Sequence, residues 1–411
     1  MNACTIAMRI GWTIAGAGLL FLSGCLSPIA MHRAVIEYDR TVSRVEAELL
    51  LLNIARARHH RPVHFTAVSS VAATFDFRTS AGVTGRIARG PFAEDPVVDL
   101  TYGVQVAENP TVTIIPISGE EFTERILRSL EESHFDFLAH QGFDINMILQ
   151  LMARGMTLEQ ERDSKQVLSN TPGRRAEFIA FRQALLHLAS LQQAHTLFIE
   201  PMTYEEQFPV AIDRALTPAE AVAALDKGYR WTTQSKSQAE SLTRKVIGRL
   251  AITNYEPWTL TNEERRQLND VIQRYPLDHV FLDIRPGFPG GEWPMRGVIQ
   301  LRSFNAIISF VARSIAEDPG FHVDPDPRSG PVTMNPDRVL EVEETAAAPR
   351  DYEFSVEFEG QHYAIRKYPV TGGMLPSWNQ ECFSVLANLF QMTVTDVSNA
   401  KTPIISISKG G

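Results

Sequence analysis

The stretch "KVIGRLAITNYEPWTLTNEERRQLNDVIQRYPLDHVFLDIRP", residues 245–286, decides the fold class. Its two ends, KVIGRLAITNY and DHVFLDIRP, have the apolar and β-branched composition of strands. Between them, TNEERRQLNDVIQRY begins with Thr261 and Glu264 at the spacing of a capping box and is predicted to be a helix. Strand, helix and strand in one short stretch indicate a mixed region, so the sequence predicts an α+β fold.

Helical patterns occur on both sides of this stretch. Upstream, apolar residues from Val35 to Leu52 recur at alternating spacings of three and four, which predicts a long N-terminal helix over about 33–58. We interpret this apolar seam as packing on the protein's own core, with pairing to a partner helix as the alternative. Several further helices are expected to begin at capping boxes: Ser118 with Glu121, Thr157 with Gln160, Thr217 with Glu220, and, by a proline at the first helical position, after Thr171.

Antiparallel β segments are predicted at both ends of the mature chain. Residues 61–85 alternate in polarity and are rich in Val, Thr and Phe, and a second β stretch covers 97–116, with Asn109-Pro110 as a turn. Near the C-terminus, Glu359-Gly360 is predicted as the turn of a hairpin that places Val356 opposite Tyr363. A helix over about 377–391 and a last short strand, "PIISIS", follow.

Composition changes along the chain suggest its organisation. The segment "EDPGFHVDPDPRSGPVTMNPD" is rich in proline and aspartate, which favours a linker or long exposed loop. The predicted divisions are a signal peptide at 1–24, a lipid anchor and tether at 25–32, a helix and β region at 33–116, a mixed α+β region at 117–318, the Pro/Asp-rich linker or loop at 319–349, and a C-terminal hairpin, helix and strand at 350–411.

The N-terminal stretch "AGLLFLSGCLSP", residues 17–28, bears on localisation. After Arg9 the chain has no charge from Ile10 to Leu22, which is shorter than the roughly 20 residues that a transmembrane helix needs. This pattern is typical of a secretory signal peptide. Leu22-Ser23-Gly24-Cys25 resembles the lipobox of bacterial lipoproteins, and ordinary cleavage near the same site is the alternative.

The resemblance implies a lipid anchor. In that family a peptidase cleaves before the cysteine, whose sulfur carries diacylglycerol and whose amine is acylated, so Cys25 is the expected lipidation site. Such a protein is held in the membrane by its acyl chains, palmitate among them, and does not span it. Because Leu26 replaces the aspartate that retains family members in the inner membrane, the resemblance implies the outer membrane of a Gram-negative envelope, facing the periplasm.

The net charge bears on nucleic-acid binding, and the number of cysteines bears on disulfide formation. The formal net charge is −9, and no run of lysine or arginine forms the basic patch that nucleic-acid binding requires. Once Cys4 is removed with the signal peptide and Cys25 carries lipid, Cys382 is left alone, so no intramolecular disulfide is expected. Cys382 lies among apolar residues at helical spacing, which indicates a buried, unreactive thiol.

Motifs for catalysis or cofactors are not recognisable. The sequence contains no HExxH, CxxC, GxxxxGK[ST], GxSxG or SxxK, which favours binding over catalysis without excluding an enzyme, and we expect no cofactor. His59, His60 and His64 are weak metal-site candidates, and the alternative is a helix C-terminus where histidine complements the macrodipole.

One loop is a candidate contact surface. The stretch "RPGFPGGEWPMRG", residues 285–297, places Phe288, Trp293 and Met295 among prolines and glycines, and aromatic residues on constrained loops often anchor contacts. The alternative is that Trp293 packs on the core.

The sequence therefore predicts a membrane-anchored binding or assembly component of the cell envelope with a protein partner. Two alternatives stay open. An envelope hydrolase acting on peptidoglycan or polysaccharide would hold two carboxyl groups in one cleft. A small-molecule carrier would have a large apolar pocket with few polar groups.

Overall fold

A computed structural model of the chain describes residues 32, 35–86, 97–117, 119–160, 164–209, 218–233, 240–350, 352, 354–365, 378–394 and 405–408. The predicted signal peptide, Cys25, and the capping residues Ser118 and Thr217 lie outside the described residues. The fold is α+β, as the sequence predicted. No helix among the described residues combines the length and apolar composition needed to cross a membrane.

The helices are α1 (35–58), α2 (Glu120–Leu127), α3 (Glu132–His140), α4 (Ile145–Met152), α5 (Arg175–Gln193), α6 (Pro218–Asp226), α7 (Asn262–Ile272), α8 (Phe304–Ala316) and α9 (Trp378–Val394). The strands are β1 (Phe65–Arg86), β2 (Val97–Ile117), β3 (Ala153–Glu159), β4 (Lys165–Ser169), β5 (Phe198–Pro209), β6 (Tyr229–Thr233), β7 (Glu240–Thr253), β8 (His279–Ile284), β9 (Met295–Leu301), β10 (Val342–Thr345), β11 (Ser355–Phe358), β12 (Gln361–Ile365) and β13 (Ile405–Ser408).

The chain forms two compact units, whose bounds differ from the divisions predicted from composition. Unit 1 comprises 1–50, 64–118 and 396–411, and unit 2 comprises 51–63 and 119–395. The predicted linker at 319–349 has unit 2 on both sides, so it does not join two domains.

Unit 1 contains a long antiparallel ribbon. Strands β1 and β2 pair along their whole lengths, and the short strand β13 pairs with β2 from Thr111 to Ile114. The β region and the last strand are therefore confirmed. The turn predicted at Asn109-Pro110 is wrong, because both residues lie inside β2, in register with Thr74 and Ala73. A ribbon edge tolerates proline where the missing N–H has no ladder partner.

Unit 2 is built on a seven-stranded sheet. Its strand order is β4-β3-β9-β8-β7-β5, with β6 also paired to β7. Strands β7 and β8 run parallel, and the other described pairs of this sheet run antiparallel. The parallel pair requires a crossover, which the chain from Asn254 to Asp278 provides with α7.

Helix α7 confirms the prediction from residues 245–286. The hydroxyl of Thr261 accepts a hydrogen bond from the Glu264 backbone N–H, while the Glu264 carboxylate accepts one from the Thr261 N–H at 2.7 Å. The apolar face of α7, with Leu268 and Ile272, packs on Phe281 and its neighbours in the sheet. The capping box fixes where α7 begins, and its single apolar stripe faces the sheet, so α7 forms a helical layer on the sheet.

Two other helix starts were predicted wrongly. Thr157 and Gln160 are not a capping box, because Thr157 lies in β3 and pairs with Val167 on β4. Helix α5 begins at Arg175 and not after Thr171. In both places the tertiary structure overrides a local pattern that is only a weak preference.

Helix α1 is confirmed, and the burial of its apolar seam increases along its length. The side chain of Val35 is 61% exposed, and the next seam positions, from Tyr38 to Leu49, are half-buried. Full burial begins at Leu50 and continues at Leu51 and Ile54. The seam is therefore only partly covered along its first half, so packing on the protein's own core and pairing with a partner helix both stay predictions there.

The predicted C-terminal hairpin is confirmed, with one strand more than expected. Val356 lies opposite Tyr363, and Glu359 and Gly360 have φ values of 48° and 77°, as in a type I′ turn. Strand β10 pairs with the other edge of β12, so β12 is central in a three-stranded sheet. Strand β10 lies within 319–349, the stretch predicted to be a linker or loop, and the rest of that stretch forms no helix or strand.

Candidate binding face

One face of unit 2 is formed around the C-terminal half of α5, where the polar residues His187, Ser190 and Gln193 recur every three positions on a largely buried helix. Two clefts open there. The larger, of ≈ 670 Å³, lies between α5, the loop 285–294 and residues 328–333. The smaller, of ≈ 410 Å³, lies between α5, Asp144 and the start of α9. Gln193 lines both clefts, and we call this surface the α5 face.

The loop 285–294 is held by one buried asparagine. The side-chain amide of Asn254 donates to the carbonyls of Arg285 and Pro289 at 2.9 and 3.0 Å, and its carbonyl oxygen accepts from the Arg285 N–H at 2.8 Å. Gly290, at φ 72°, lies against Leu191, and a Cβ there would approach a Leu191 methyl carbon to 2.3 Å. Both the backbone conformation and the close approach require glycine.

His187 connects this loop to the segment 318–341. Its Nε2 lies 2.9 Å from the carbonyl oxygen of Gly290, and its Nδ1 lies 3.2 Å from the hydroxyl of Ser329. A carbonyl oxygen can only accept, so Nε2 carries the proton and Nδ1 accepts from Ser329. Burial lowers the pKa of His187, which favours this neutral form at neutral pH. The histidine therefore holds two loops in one arrangement.

Trp293 and Arg328 stack at the edge of the larger cleft. The guanidinium carbon of Arg328 lies 4.5 Å from the centre of the Trp293 ring, and the His187 ring lies 5.3 Å from the same indole. Arg328 also forms a two-point pair with Asp326, at 2.7 and 2.9 Å, which lowers the pKa of that carboxyl to about 2. The half-buried indole and the exposed arginine form one amphipathic surface.

The predicted contact residues separate into three cases. Trp293 is on the α5 face, in contact with residues far away in sequence. Phe288 is 37% exposed and packs on Tyr255 at 5.3 Å between ring centres. Met295 is only 3% exposed at the start of β9, so its prediction as a contact residue is wrong. Its position begins the strand pairing with Ile284, which places it in the core.

The segment 318–341 forms most of the stretch predicted to be a linker or long exposed loop, and side chains of the core hold it in place. Arg182, buried on α5, donates to the side chain of Asn335 at 2.7 Å and to the carbonyl of Pro336 at 3.0 Å. Val323 and Val339 are buried. The proline-rich composition correctly predicted a segment with little regular structure. It could not predict that a buried arginine on α5 holds this segment.

The smaller cleft contains a pair of carboxyl groups. Asp144 is the N-cap of α4 and accepts from the Asn146 N–H at 2.8 Å, while Glu381 lies in the first turn of α9. Burial raises the pKa of both carboxyls, and the charge of Asp144 further raises the pKa of Glu381. One carboxyl of such a pair can stay protonated at a pH where an isolated one does not.

Of the three predicted metal-site histidines, His59 and His60 at the end of α1 make polar contacts within unit 2, whereas His64 belongs to unit 1. Nε2 of His59 lies 2.6 Å from the Tyr363 hydroxyl and its Nδ1 lies 3.3 Å from the Glu359 carboxylate, whereas His60 lies 3.3 Å from Glu317. Within the described ranges, no group of three or more His, Cys, Asp or Glu residues is arranged to hold a metal ion. Cys382 is fully buried on α9, and burial raises the pKa of its thiol, as the sequence predicted for an unreactive core cysteine.

Sequence reasoning missed His187, Arg182 and Arg328. The spacing of His187, Ser190 and Gln193 at three residues was a signal that one helical face is polar within an apolar helix. Their partners could not be inferred, because Gly290 and Ser329 lie 103 and 142 positions away from His187 in the chain. Comparison of the chain with protein-family models, with curated proteins and with solved structures gives no match.

Proposed function

We propose that this chain is a lipid-anchored envelope protein, tethered through Cys25 to the periplasmic side of the outer membrane, that binds a protein partner through the α5 face. The lipobox-like sequence supports the anchor. One observation carries the binding role: two loops and two adjoining clefts meet on α5, and buried hydrogen bonds from Asn254, His187 and Arg182 hold them in place.

A preformed concave surface suits binding. Loops that are already ordered lose little conformational entropy when a partner docks, so more of the contact free energy becomes affinity. Trp293 and Arg328 at the rim are the residue types that dominate measured interface energies. Exposed polar groups of Gln193 and Thr333 can provide the hydrogen bonds that set specificity.

The test is site-specific photocrosslinking in intact cells. A photoreactive amino acid replaces Gln193 or Thr333 in the full chain, and matched controls carry it at Val167 or Leu277, which are 59% and 50% exposed in unit 2. We expect one partner to crosslink from 193 and 333, not from 167 or 277, and to be lost in Cys25→Ala. Equal crosslinking from all four positions, or none from 193 and 333, would reject the α5 face as the binding surface.

The anchor is tested separately from the binding face. Mass spectrometry of the mature chain is expected to find acyl groups on Cys25 and no residues before it, with the protein in the outer-membrane fraction. Cys25→Ala is expected to leave an unprocessed or unacylated chain. An unmodified Cys25 in the wild-type protein would reject the lipoprotein assignment without bearing on the crosslinks.

A second candidate function is hydrolysis of peptidoglycan or polysaccharide in the smaller cleft, with Glu381 as the general acid and Asp144 as the charged partner. The observation that favours it is that both carboxyls line one cleft and that Asp144 raises the pKa of Glu381. A raised pKa on one carboxyl beside an ionised one is the electrostatic arrangement that glycosidic bond cleavage uses.

The release of reducing ends from peptidoglycan tests this second candidate function. Purified full chain is incubated with isolated peptidoglycan, and released reducing ends are measured for wild type, Glu381→Gln, Asp144→Asn and the control Glu292→Gln. Asparagine keeps the cap of α4, so loss of activity in Asp144→Asn would not reflect loss of the helix start. Release that survives Glu381→Gln, or no release by wild type, would reject this candidate.

A further inference from the structure

A serine and a histidine meet in the larger cleft of the α5 face. The hydroxyl of Ser329 lies 3.2 Å from Nδ1 of His187, and both residues line that cleft. Nε2 of His187 donates to the Gly290 carbonyl at 2.9 Å, which fixes the tautomer and leaves the lone pair of Nδ1 toward the hydroxyl. A hydroxyl within hydrogen-bond reach of a base that a third group orients is the arrangement used in serine-based acyl transfer.

The chain around Ser329 is held in place on both sides. The Ser329 N–H donates to the Asp326 carbonyl at 2.8 Å, and the Asp326 carboxylate accepts from the Arg328 N–H at 3.0 Å. On the other side, the Gly330 N–H donates to the hydroxyl of Ser190 on α5 at 3.2 Å. The serine hydroxyl therefore lies beside the base before any substrate binds, which reduces the entropic cost of the reaction.

The surroundings of His187 keep the ring neutral, as a base must be. Burial is the main influence and lowers its pKa. The hydrogen bond to Gly290 and the charges of Asp326 and Glu292 oppose this shift. The charge of Arg328 adds to it. At neutral pH, Nδ1 is therefore free of a proton and can accept the one on the serine hydroxyl.

The group that orients His187 bears on the class of substrate. In a Ser-His-Asp triad, a carboxylate stabilises the imidazolium that forms when the histidine takes the proton. Here the neutral carbonyl of Gly290 occupies that place, so the stabilisation is weaker. An ester releases its alcohol more readily than an amide releases its amine, so this pair suits esters. Hydroxyl and amide side chains in the lining of the cleft suit a polar alcohol portion, and they are those of Ser190, Gln193, Thr196 and Thr333.

We propose that Ser329 and His187 are a catalytic pair that hydrolyses carboxylic esters in the larger cleft. Oγ of Ser329 bonds to the ester carbonyl carbon while its proton moves to Nδ1 of His187. The bond from that carbon to the alcohol oxygen breaks, and the alcohol leaves with the proton. Water then bonds to the acyl carbon and gives a proton to Nδ1, the bond to Oγ breaks, and Oγ regains the proton as the carboxylic acid leaves.

Arg328 completes the site as the donor to the oxygen that becomes negative. Its two-point pair with Asp326 uses Nε and Nη2, so Nη1 is left for the oxyanion. This activity goes beyond the proposed binding role and does not depend on it, since it requires neither a protein partner nor the carboxyl pair of the smaller cleft.

The test uses a fluorophosphonate probe, with which an activated serine forms a bond from Oγ to phosphorus as fluoride leaves. Purified full chain is labelled between pH 5 and pH 8, and mass spectrometry identifies the labelled residue. The variants are Ser329→Ala, His187→Gln, which keeps a donor for the Gly290 carbonyl, and the matched control Ser309→Ala on α8, whose hydroxyl donates within that helix. Hydrolysis of p-nitrophenyl butyrate by the same proteins measures turnover.

We expect the label on Ser329, none there in Ser329→Ala, a rate at least about 100-fold lower in His187→Gln, and no change in Ser309→Ala. In wild type the rate should rise with pH through the pKa of His187, which a purely structural hydrogen bond would not produce. Ester turnover should follow the same order. No label on Ser329 in wild type, an equal rate in His187→Gln, or labelling without ester turnover would overturn the proposal. Failure of the crosslinks at 193 and 333 would reject the binding role and leave this result standing.

Discussion

A buried arginine donates hydrogen bonds at each end of helix α4, and the two arginines connect different parts of the structure. At the C-terminal end, Arg302 donates to the carbonyls of Gln150 and Leu151, and also to that of Asn170. At the N-terminal end, Arg182 donates to the side chain of Asn146 and then to Asn335 and Pro336 of the segment 318–341. The first arginine holds elements of the core together, and the second attaches a site-forming segment to that core.

The electrostatics of the two positions follow from this difference. The last carbonyls of a helix have no partner within it and carry partial negative charge, so a cation at the C-terminal end is favourable. Burial nevertheless lowers the pKa of Arg302 to about 9, and the positive charges of Arg313 and Arg154 lower it further. Burial lowers the pKa of Arg182 less, to about 10, since the charge of Asp337 opposes the effect. Arginine thus serves as a cap in one place and as a connector in the other.

The largest expected effect is that of removing the cap. Arg302→Met removes the side-chain donor from the carbonyls of Leu151 and Asn170 and one of two donors from that of Gln150, and we expect the free energy of unfolding to fall by about 3–5 kcal/mol. Urea unfolding followed by circular dichroism measures the change. Arg313→Met, at an exposed position on the following helix, is the matched control and should change stability by less than about 0.5 kcal/mol. A loss below about 1 kcal/mol in Arg302→Met would contradict the capping role.

The second effect is local. Arg182→Met should release the segment 318–341 from α5 and reduce stability by about 2–3 kcal/mol, less than at Arg302, because fewer groups of the core lose a partner. Hydrogen exchange should increase in 323–340 while β7, β8 and β9 stay protected. Arg174→Met, which removes only an exposed pair with Glu177, serves as control. Uniform loss of protection throughout unit 2 would show that Arg182 supports the core and not the segment.

The sequence was informative where structure is local. The capping box of α7, the turn at Glu359-Gly360 and the strands around α7 were predicted because each depends on residues a few positions apart. The α5 face was not predicted, since His187 and Arg182 reach partners more than a hundred positions away. Thr157 and Gln160 show the converse, because β3 needs pairing with β4 and β9 that overrides a capping pattern.

A third prediction concerns pH and the loop connection at His187. Burial lowers the folded-state pKa of His187 below its unfolded value, so the unfolded chain binds the proton more readily. The stabilisation is therefore complete above the unfolded pKa of about 6.5 and is lost as pH falls toward the folded pKa. We expect wild type to lose about 1 kcal/mol more stability between pH 7 and pH 5 than His187→Gln, which can still donate to Gly290 but cannot titrate.

The control for this measurement is His195→Gln, which changes an exposed histidine two residues beyond α5. It should retain the pH dependence of wild type. Equal pH dependence in His187→Gln and wild type would mean that His187 is not the group whose protonation loosens the two loops.

The smallest expected effect is at the carboxyl pair of Asp144 and Glu381. The sign of the stability change distinguishes repulsion between the two carboxylates from a stabilising hydrogen bond to Glu381. Both pKa values are raised, so the folded state holds its protons to higher pH than the unfolded chain, and the pair lowers stability as pH rises through this window. Glu381→Gln removes a buried charge and its repulsion with Asp144, and should raise the free energy of unfolding at pH 7 by up to about 0.5 kcal/mol. The gain should vanish at pH 3, where both carboxyls are protonated in either state.

Glu292→Gln should change nothing at either pH. A loss of stability in Glu381→Gln at pH 7 would mean that the carboxylate accepts a hydrogen bond that the fold needs, and the second candidate function would lose its electrostatic basis.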